Sequence, residues 1–233
     1  MPSLPAIRRL SASAPHPAPP TPARAIATID ATSRPARTFT GDFYFTHRFA
    51  DRVWFALGDV AGKGLPAAIV MAMIQEELEA QISICAQTFC DPATALARLH
   101  AFLLPLMPQN RFATTVVATL RQDGLLTIAN GGHCPPLMVR ANGTIEELAS
   151  TGPVLGLLPN AHWRSITTHL EHGDTLILYS DGVTEATRDG EELGVSGLRS
   201  IASPTTTARG ILDALATYNL GDDTTIVVAR RAD

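Results

Sequence analysis

The sequence predicts an α+β fold, a β-sandwich flanked by helices. Two helical stretches are inserted between runs of mostly antiparallel strand-like segments. Turn signals at Asp123-Gly124, Asn142-Gly143 and His172-Gly173 punctuate the later strands. No internal repeat interrupts that order.

The elements follow in sequence. Residues 1–24 read as an extended, disordered tail or linker. The first 29 residues contain no acid and carry Arg8, Arg9 and Arg24, but Pro15, Pro17, Pro19, Pro20 and Pro22 forbid an amphipathic targeting helix. The folded domain is expected over 25–233, long enough to bury a sizeable core. Ala25 to Ala31 and Phe39 to His47 read as strands, and Val53 to Leu57 as a buried strand running into Gly58-Asp59. A helix is predicted from Leu65, with Pro66 in its first turn and an apolar stripe of Ile69, Val70, Met73, Ile74, Leu78 and Ile82. Glu77 falls inside that stripe without an evident reason. A second helix fits Asp91 to Met107, with Asp91 as N-cap, Pro92 in the first turn and Pro105 or Pro108 at the end.

Beyond it, Phe112 to Leu120, Leu125 to Asn130, Pro136 to Arg140, Trp163 to Leu170 and Thr175 to Ser180 are strand-like. A helical stretch lies within Thr205 to Tyr218, and Thr224 to Arg230 closes the chain as a last strand.

Composition excludes some classes. A formal net charge of −4 and the lack of a basic stripe argue against a nucleic-acid partner and against a metal-dependent nuclease. No stretch reaches the roughly 18–20 apolar residues of a membrane span. Cys85, Cys90 and Cys134 form no C-x-x-C pair, and the odd count without a signal peptide favours free thiols in a reducing, cytoplasmic setting.

Asp42, Asp59, Asp181 and Asp222 each sit where a buried or half-buried strand meets a turn. Taken singly, such aspartates are turn formers. Gathered on one rim of a sandwich they would repel one another, and a hard divalent cation resolves that repulsion with oxygen ligands. Two ions about 3.5–4 Å apart can clamp a phosphoryl group and activate water at neutral pH. Spacing alone does not establish that the four converge. Gly58 to Gly64 fails as a P-loop, because only three residues separate Gly58 from Gly62 and Gly64 stands where Ser or Thr is needed. His133 beside Cys134 lacks the second pair a zinc site requires, so a turn role is the simpler reading. Glu76 and Glu79 read as the wet side of their helix, and Met71 and Met73 as filler.

Six motifs occur in order: Gly41-Asp-Phe-Tyr44, Gly58-Asp-Val-Ala-Gly-Lys-Gly-Leu-Pro-Ala-Ala68, Asn130-Gly-Gly-His-Cys-Pro-Pro136, Leu155-Gly-Leu-Leu158, Tyr179-Ser-Asp-Gly-Val-Thr-Glu185 and Asp222-Asp-Thr-Thr225. The succession resembles the SpoIIE/RsbU-type branch of the PPM metal-dependent serine/threonine phosphatases. The resemblance runs from about Ala25 to Arg230.

It implies an αββα sandwich holding two Mn2+ or Mg2+ ions, with Asp59 bridging both and the Val60 carbonyl adding a ligand. Asp42, Asp181 and Asp222 would complete the set, Asp223 would support it, and Lys63 is a candidate contact to substrate phosphate. A metal-bridging water would attack phosphoserine or phosphothreonine. The resemblance further implies a phosphorylated protein substrate, such as a STAS-type anti-sigma-factor antagonist in bacterial partner switching. An activating partner would act at the helices 65–107. Thr40 and Phe45 depart from the usual Gly-Gly-Asp-Phe-Tyr-Asp, while all four expected ligand aspartates are kept. The rival expectation is a catalytically silent partner-binding module of the same fold.

Overall fold

The computed structural model describes residues 26–85, 90–107 and 111–232, so the expected tail over 1–24 lies outside the described residues. Among the described residues, the strands form two five-stranded sheets and one two-stranded hairpin. The first sheet runs β1 (Ala27–Arg34), β12 (Thr224–Arg231), β9 (Thr175–Tyr179), β6 (Leu137–Val139) and β7 (Ile145–Glu147). The second runs β2 (Phe43–Arg48), β3 (Arg52–Val60), β4 (Ala113–Arg121), β5 (Leu125–Gly131) and β8 (Ile166–His169). Every ladder in both sheets is antiparallel.

Helices α1 (Leu65–Cys85) and α2 (Pro92–Leu103) cover the outer face of the second sheet. The short helices α3 (Asp181–Thr184), α4 (Gly194–Ile201) and α5 (Ala208–Ala214) cover the first. The expected αββα sandwich is what forms.

The period of two along a strand sorts its side chains between layers. On β3, Trp54 and Ala56 face α1 and α2, meeting Ile74, Leu78, Leu96 and Leu99. Their neighbours Val53, Phe55 and Leu57 face the other sheet and meet Leu176, Leu178 and Val227. On the far side, Ile177, Tyr179, Ile226 and Val228 pack on Leu198, Ile211 and Leu215. Central strands covered on both faces must be apolar at nearly every position, which is why Val53 to Leu57 and Thr175 to Tyr179 read as continuous runs. Fully burying each large side chain contributes roughly 1.5–3 kcal/mol.

Local chemistry sets several boundaries as expected. Asp91 caps α2, its Oδ1 accepting the Thr94 N–H at 2.8 Å. Gly124, Gly143 and Gly173 adopt φ values of 88°, 85° and 87° at the three anticipated turns.

Other expectations are corrected. Phe39 to Asp42 is loop, and β2 starts at Phe43. The buried face of α1 is Ala67, Ile74, Leu78, Gln81 and Ile82, whereas Ile69 is 52% exposed. Exposed Leu65, Ile69 and Ile84 place apolar residues outside that face, so periodicity could not single it out. Half-buried Glu77 accepts from Gln81 Nε2 at 2.7 Å, which satisfies the acid one turn from its partner. α2 stops at Leu103, and the chain turns through Met107. Cys90 is disulfide-bonded, so the expectation of free thiols fails there, while Cys134 is free. Among the described residues, no helix is long and apolar enough to cross a membrane.

Candidate metal centre

At one end of the sandwich the strand termini of both sheets open into a cleft of about 320 Å³. Asp42, Asp59, Asp181, Asp222, Asp223 and Lys63 all line it. Asp59 sits on β3 one residue before its end, and Asp42 immediately precedes β2. Both therefore come from the second sheet. From the first sheet, Asp181 opens α3 two residues past the end of β9, and Asp222 stands two residues before β12. Convergence, which spacing could not establish, follows from stacking two antiparallel sheets with these ends on the same rim.

The backbone around the acids is closely fitted. Val60 N–H donates to the Gly41 carbonyl at 3.3 Å, joining the two segments that carry Asp42 and Asp59. A Cβ on Gly41 would lie 2.8 Å from Asp59 Oδ1 and 3.0 Å from the Val60 carbonyl oxygen. Only glycine leaves those two oxygens unobstructed. Asp223 ties down the same loop: its carboxylate accepts Ala36 N–H at 2.7 Å and Gly41 N–H at 3.0 Å. Its position suits the supporting role expected for it.

Electrostatics show the strain of collecting these charges. Burial, with the charges of Asp59 and Asp223 adding to it, raises Asp42 to about 7, although the Ser180 and Thr225 hydroxyls ease it. Asp59 is likewise raised to about 7 by burial and then by Asp181 and Asp222. Asp181 is raised by burial and by Asp222. Burial acts most strongly on Asp222 and raises it, but the hydrogen bond from Lys63 Nζ at 2.8 Å, the Asp223 N–H and the charges of Lys63 and Arg37 together hold this acid below the usual range.

Asp42 Oδ2 is buried without a hydrogen-bond partner. A buried, unpaired carboxylate oxygen facing other carboxylates is an acceptor awaiting a cation. The donors are all oxygen, the chemistry of a hard ion such as Mg2+ or Mn2+. Among the described residues, no three His, Cys, Asp or Glu side chains stand close enough together to hold a metal ion as they are placed.

Several lining residues escaped the sequence reading. Arg37 and Phe39 reach the cleft from the exposed loop between β1 and β2, where no pattern marks them. His133 is not a simple turn residue. It is buried, pushed down to about 4 by that burial, and its Nδ1 lies 2.8 Å from Thr114 Oγ1, while Nε2 has no partner. Cys134 also lines the cleft, but burial and the Asp181 charge push its thiol up to about 12, so it is no nucleophile.

The model of the family described as Stage II sporulation protein E (SpoIIE) matches residues 50–232. The chain belongs to the SpoIIE family. Among curated relatives, the family's phosphoserine phosphatase RsbU of Bacillus subtilis (strain 168) is 30% identical over 214 residues, covering 87% of this chain and 63% of its own length. The chain thus spans under two thirds of that relative. Among solved structures, the RsbU and RsbW domains of Rv1364c from Mycobacterium tuberculosis superpose with a TM-score of 0.73 at 27% identity, over 88% of this chain and 60% of that one. The SiaA-PP2C domain of Pseudomonas aeruginosa gives 0.74 at 20% identity, over 87% and 84%, which shows the shared PP2C fold.

Proposed function

We propose that this chain is a metal-dependent protein phosphatase acting on phosphoserine or phosphothreonine. The observation that carries this reading is the convergence of Asp42 and Asp59 from one sheet with Asp181 and Asp222 from the other. These four, with the Val60 carbonyl, would hold two Mn2+ or Mg2+ ions. Bound there, such ions supply Lewis-acid activation of water and stabilisation of phosphoryl oxygens. The chain's own residues do the rest. Asp223 fixes the loop bearing Asp42, Gly41 keeps the approach clear, and Lys63 and Arg37 offer positive charge to an incoming phosphate at the cleft wall. No side-chain nucleophile is needed, in keeping with the protonated thiol of Cys134.

The substrate we favour is a phosphorylated regulatory protein, a STAS-type anti-sigma-factor antagonist in partner switching. Support comes from similarity to a phosphoserine phosphatase and to a protein in which an RsbU domain accompanies an RsbW domain. A cytoplasmic setting goes with that reading; the disulfide at Cys90 does not follow from it. α1 begins five residues after Val60 and leaves Leu65 and Ile69 exposed, which suits an activating partner at the helices 65–107 whose grip would shift the adjacent ligands.

One observation favours the catalytically silent module: Lys63 already pairs with Asp222. Phosphate release from a phosphoserine peptide decides between them, measured with Mn2+, with chelator and in Asp181→Asn. Release that is lost under both chelator and substitution is expected. An intact protein that neither binds Mn2+ nor releases phosphate overturns the enzyme reading.

A further inference from the structure

Among the described residues β2 is an edge strand, paired with β3 on one side only. In an antiparallel strand the N–H and C=O of a residue point the same way, and direction alternates along the chain. The Tyr44 carbonyl accepts from Gln75 Nε2 of α1 at 3.3 Å, so Tyr44, Thr46 and Arg48 turn their backbone groups away from β3. The Gln75 amide stands where the N–H of a neighbouring strand would donate.

Along this edge lies a groove of about 400 Å³, walled by Ser33 of β1 on one side and by Met71, Gln75 and Glu79 of α1 on the other. At the other end of β2, Arg48 Nη1 donates to the Ala27 carbonyl of β1 at 2.9 Å. At its near end the groove is lined by Asp42, which also lines the cleft of the carboxylates. The two cavities share that residue.

We propose that the extended segment of the phosphoprotein substrate docks as an added strand on the free edge of β2, with its phosphorylated residue delivered past Asp42 into the metal cleft. The inference rests on the phosphatase reading. It commits to the substrate backbone because the groove runs into the catalytic cleft. At about 3.3 Å per residue, Tyr44 lies ~7 Å and Thr46 ~13 Å along the strand from Asp42. Substrate residues about two and four positions from the phosphoserine therefore meet these backbone groups. Main-chain hydrogen bonds supply the affinity, with the Gln75 amide giving way to a peptide N–H. Such binding tolerates varied side chains beside the phosphoserine but requires flanking amides that can donate.

The test compares a nine-residue phosphoserine peptide with the same peptide N-methylated at alternate flanking amides, in the presence of Mn2+. Binding is read by fluorescence anisotropy and turnover by phosphate release. N-methylation is expected to weaken binding and lower kcat/KM by about tenfold, the worth of one or two hydrogen bonds. Proline in place of the edge residue, Thr46→Pro, removes an outward N–H that would donate to a peptide carbonyl, and its ring blocks the approach of an added strand. That variant is expected to lose the discrimination between the two peptides. Equal binding of both peptides by the unmodified protein overturns the inference. So does a β2 edge that proves to pair with a second copy, seen as a dimer in sedimentation that Thr46→Pro dissolves while peptide discrimination persists. If the N-methyl penalty appears in binding but neither peptide is turned over and Mn2+ does not bind, the docking edge stands and the phosphatase reading falls.

Discussion

Lys63 Nζ lies 2.8 Å from Asp222 Oδ2, so the ammonium holds one of the acids that a divalent cation would claim. Both side chains are solvent-accessible, and the pair opens without a large penalty. Removing the cation in Lys63→Ala is expected to tighten Mn2+ binding several-fold while raising KM for phosphopeptide. Calorimetric titration and steady-state kinetics on the same preparation check both halves. Unchanged Mn2+ affinity would mean that Lys63 does not compete for Asp222.

Asp223 takes two backbone N–H bonds from the loop that carries Asp42. Asp223→Ala orphans both donors and is expected to cost about 2 kcal/mol in urea unfolding under chelator. Metal affinity should fall at least about tenfold, because the residue that orients a ligand matters nearly as much as the ligand. Asp223→Asn keeps one acceptor oxygen and should lie between.

Asp42 and Asp59 are raised to about 7 from 3.8. Between those values the folded chain keeps protons that the unfolded chain has released, so metal-free stability falls as pH rises from about 4 to 7. Unfolding free energies from urea titration under chelator should therefore be higher at pH 5 than at pH 8, by on the order of a few kcal/mol. Added Mn2+ should reverse the trend, since it binds the ionised carboxylates and releases their protons. A flat chelated profile would show that the acids are not crowded as described.

His133 acts in the opposite sense. Its folded value is pushed down to about 4 from 6.5, so its contribution is complete above 6.5 and lost as pH falls toward 4. The loss is about 3 kcal/mol, and His133→Gln should abolish that part of the acid dependence. Subtracting the two unfolding profiles isolates it from the carboxylates.

What was legible in the sequence was local. Asp91 announced its helix because capping is a contact three residues long, and the Gly-containing turns were marked by their need for positive φ. β3, β4, β9 and β12 were legible because strands buried on both faces are continuous apolar runs. β7 and the hairpin of β10 (Thr187–Arg188) with β11 (Glu191–Glu192) were missed, since two or three residues carry no period. α4 was missed too, opening on a glycine with no side-chain cap. The four aspartates proposed as ligands stood out only through the order of their motifs. Arg37 and Thr114 had no such signal, because their place at the cleft comes from how the two sheets stack.

That stacking has a mechanical consequence. Asp42 and Asp59 belong to one sheet, and Asp181 and Asp222 to the other, so any ion gripped by all four acts as a rivet through the sandwich. A small slide of one sheet over the other would shear the coordination before it disturbed either sheet's own ladder. Whatever presses on α1, bedded on the outer face of the second sheet, would thus have leverage over an ion held there without ever entering the cleft.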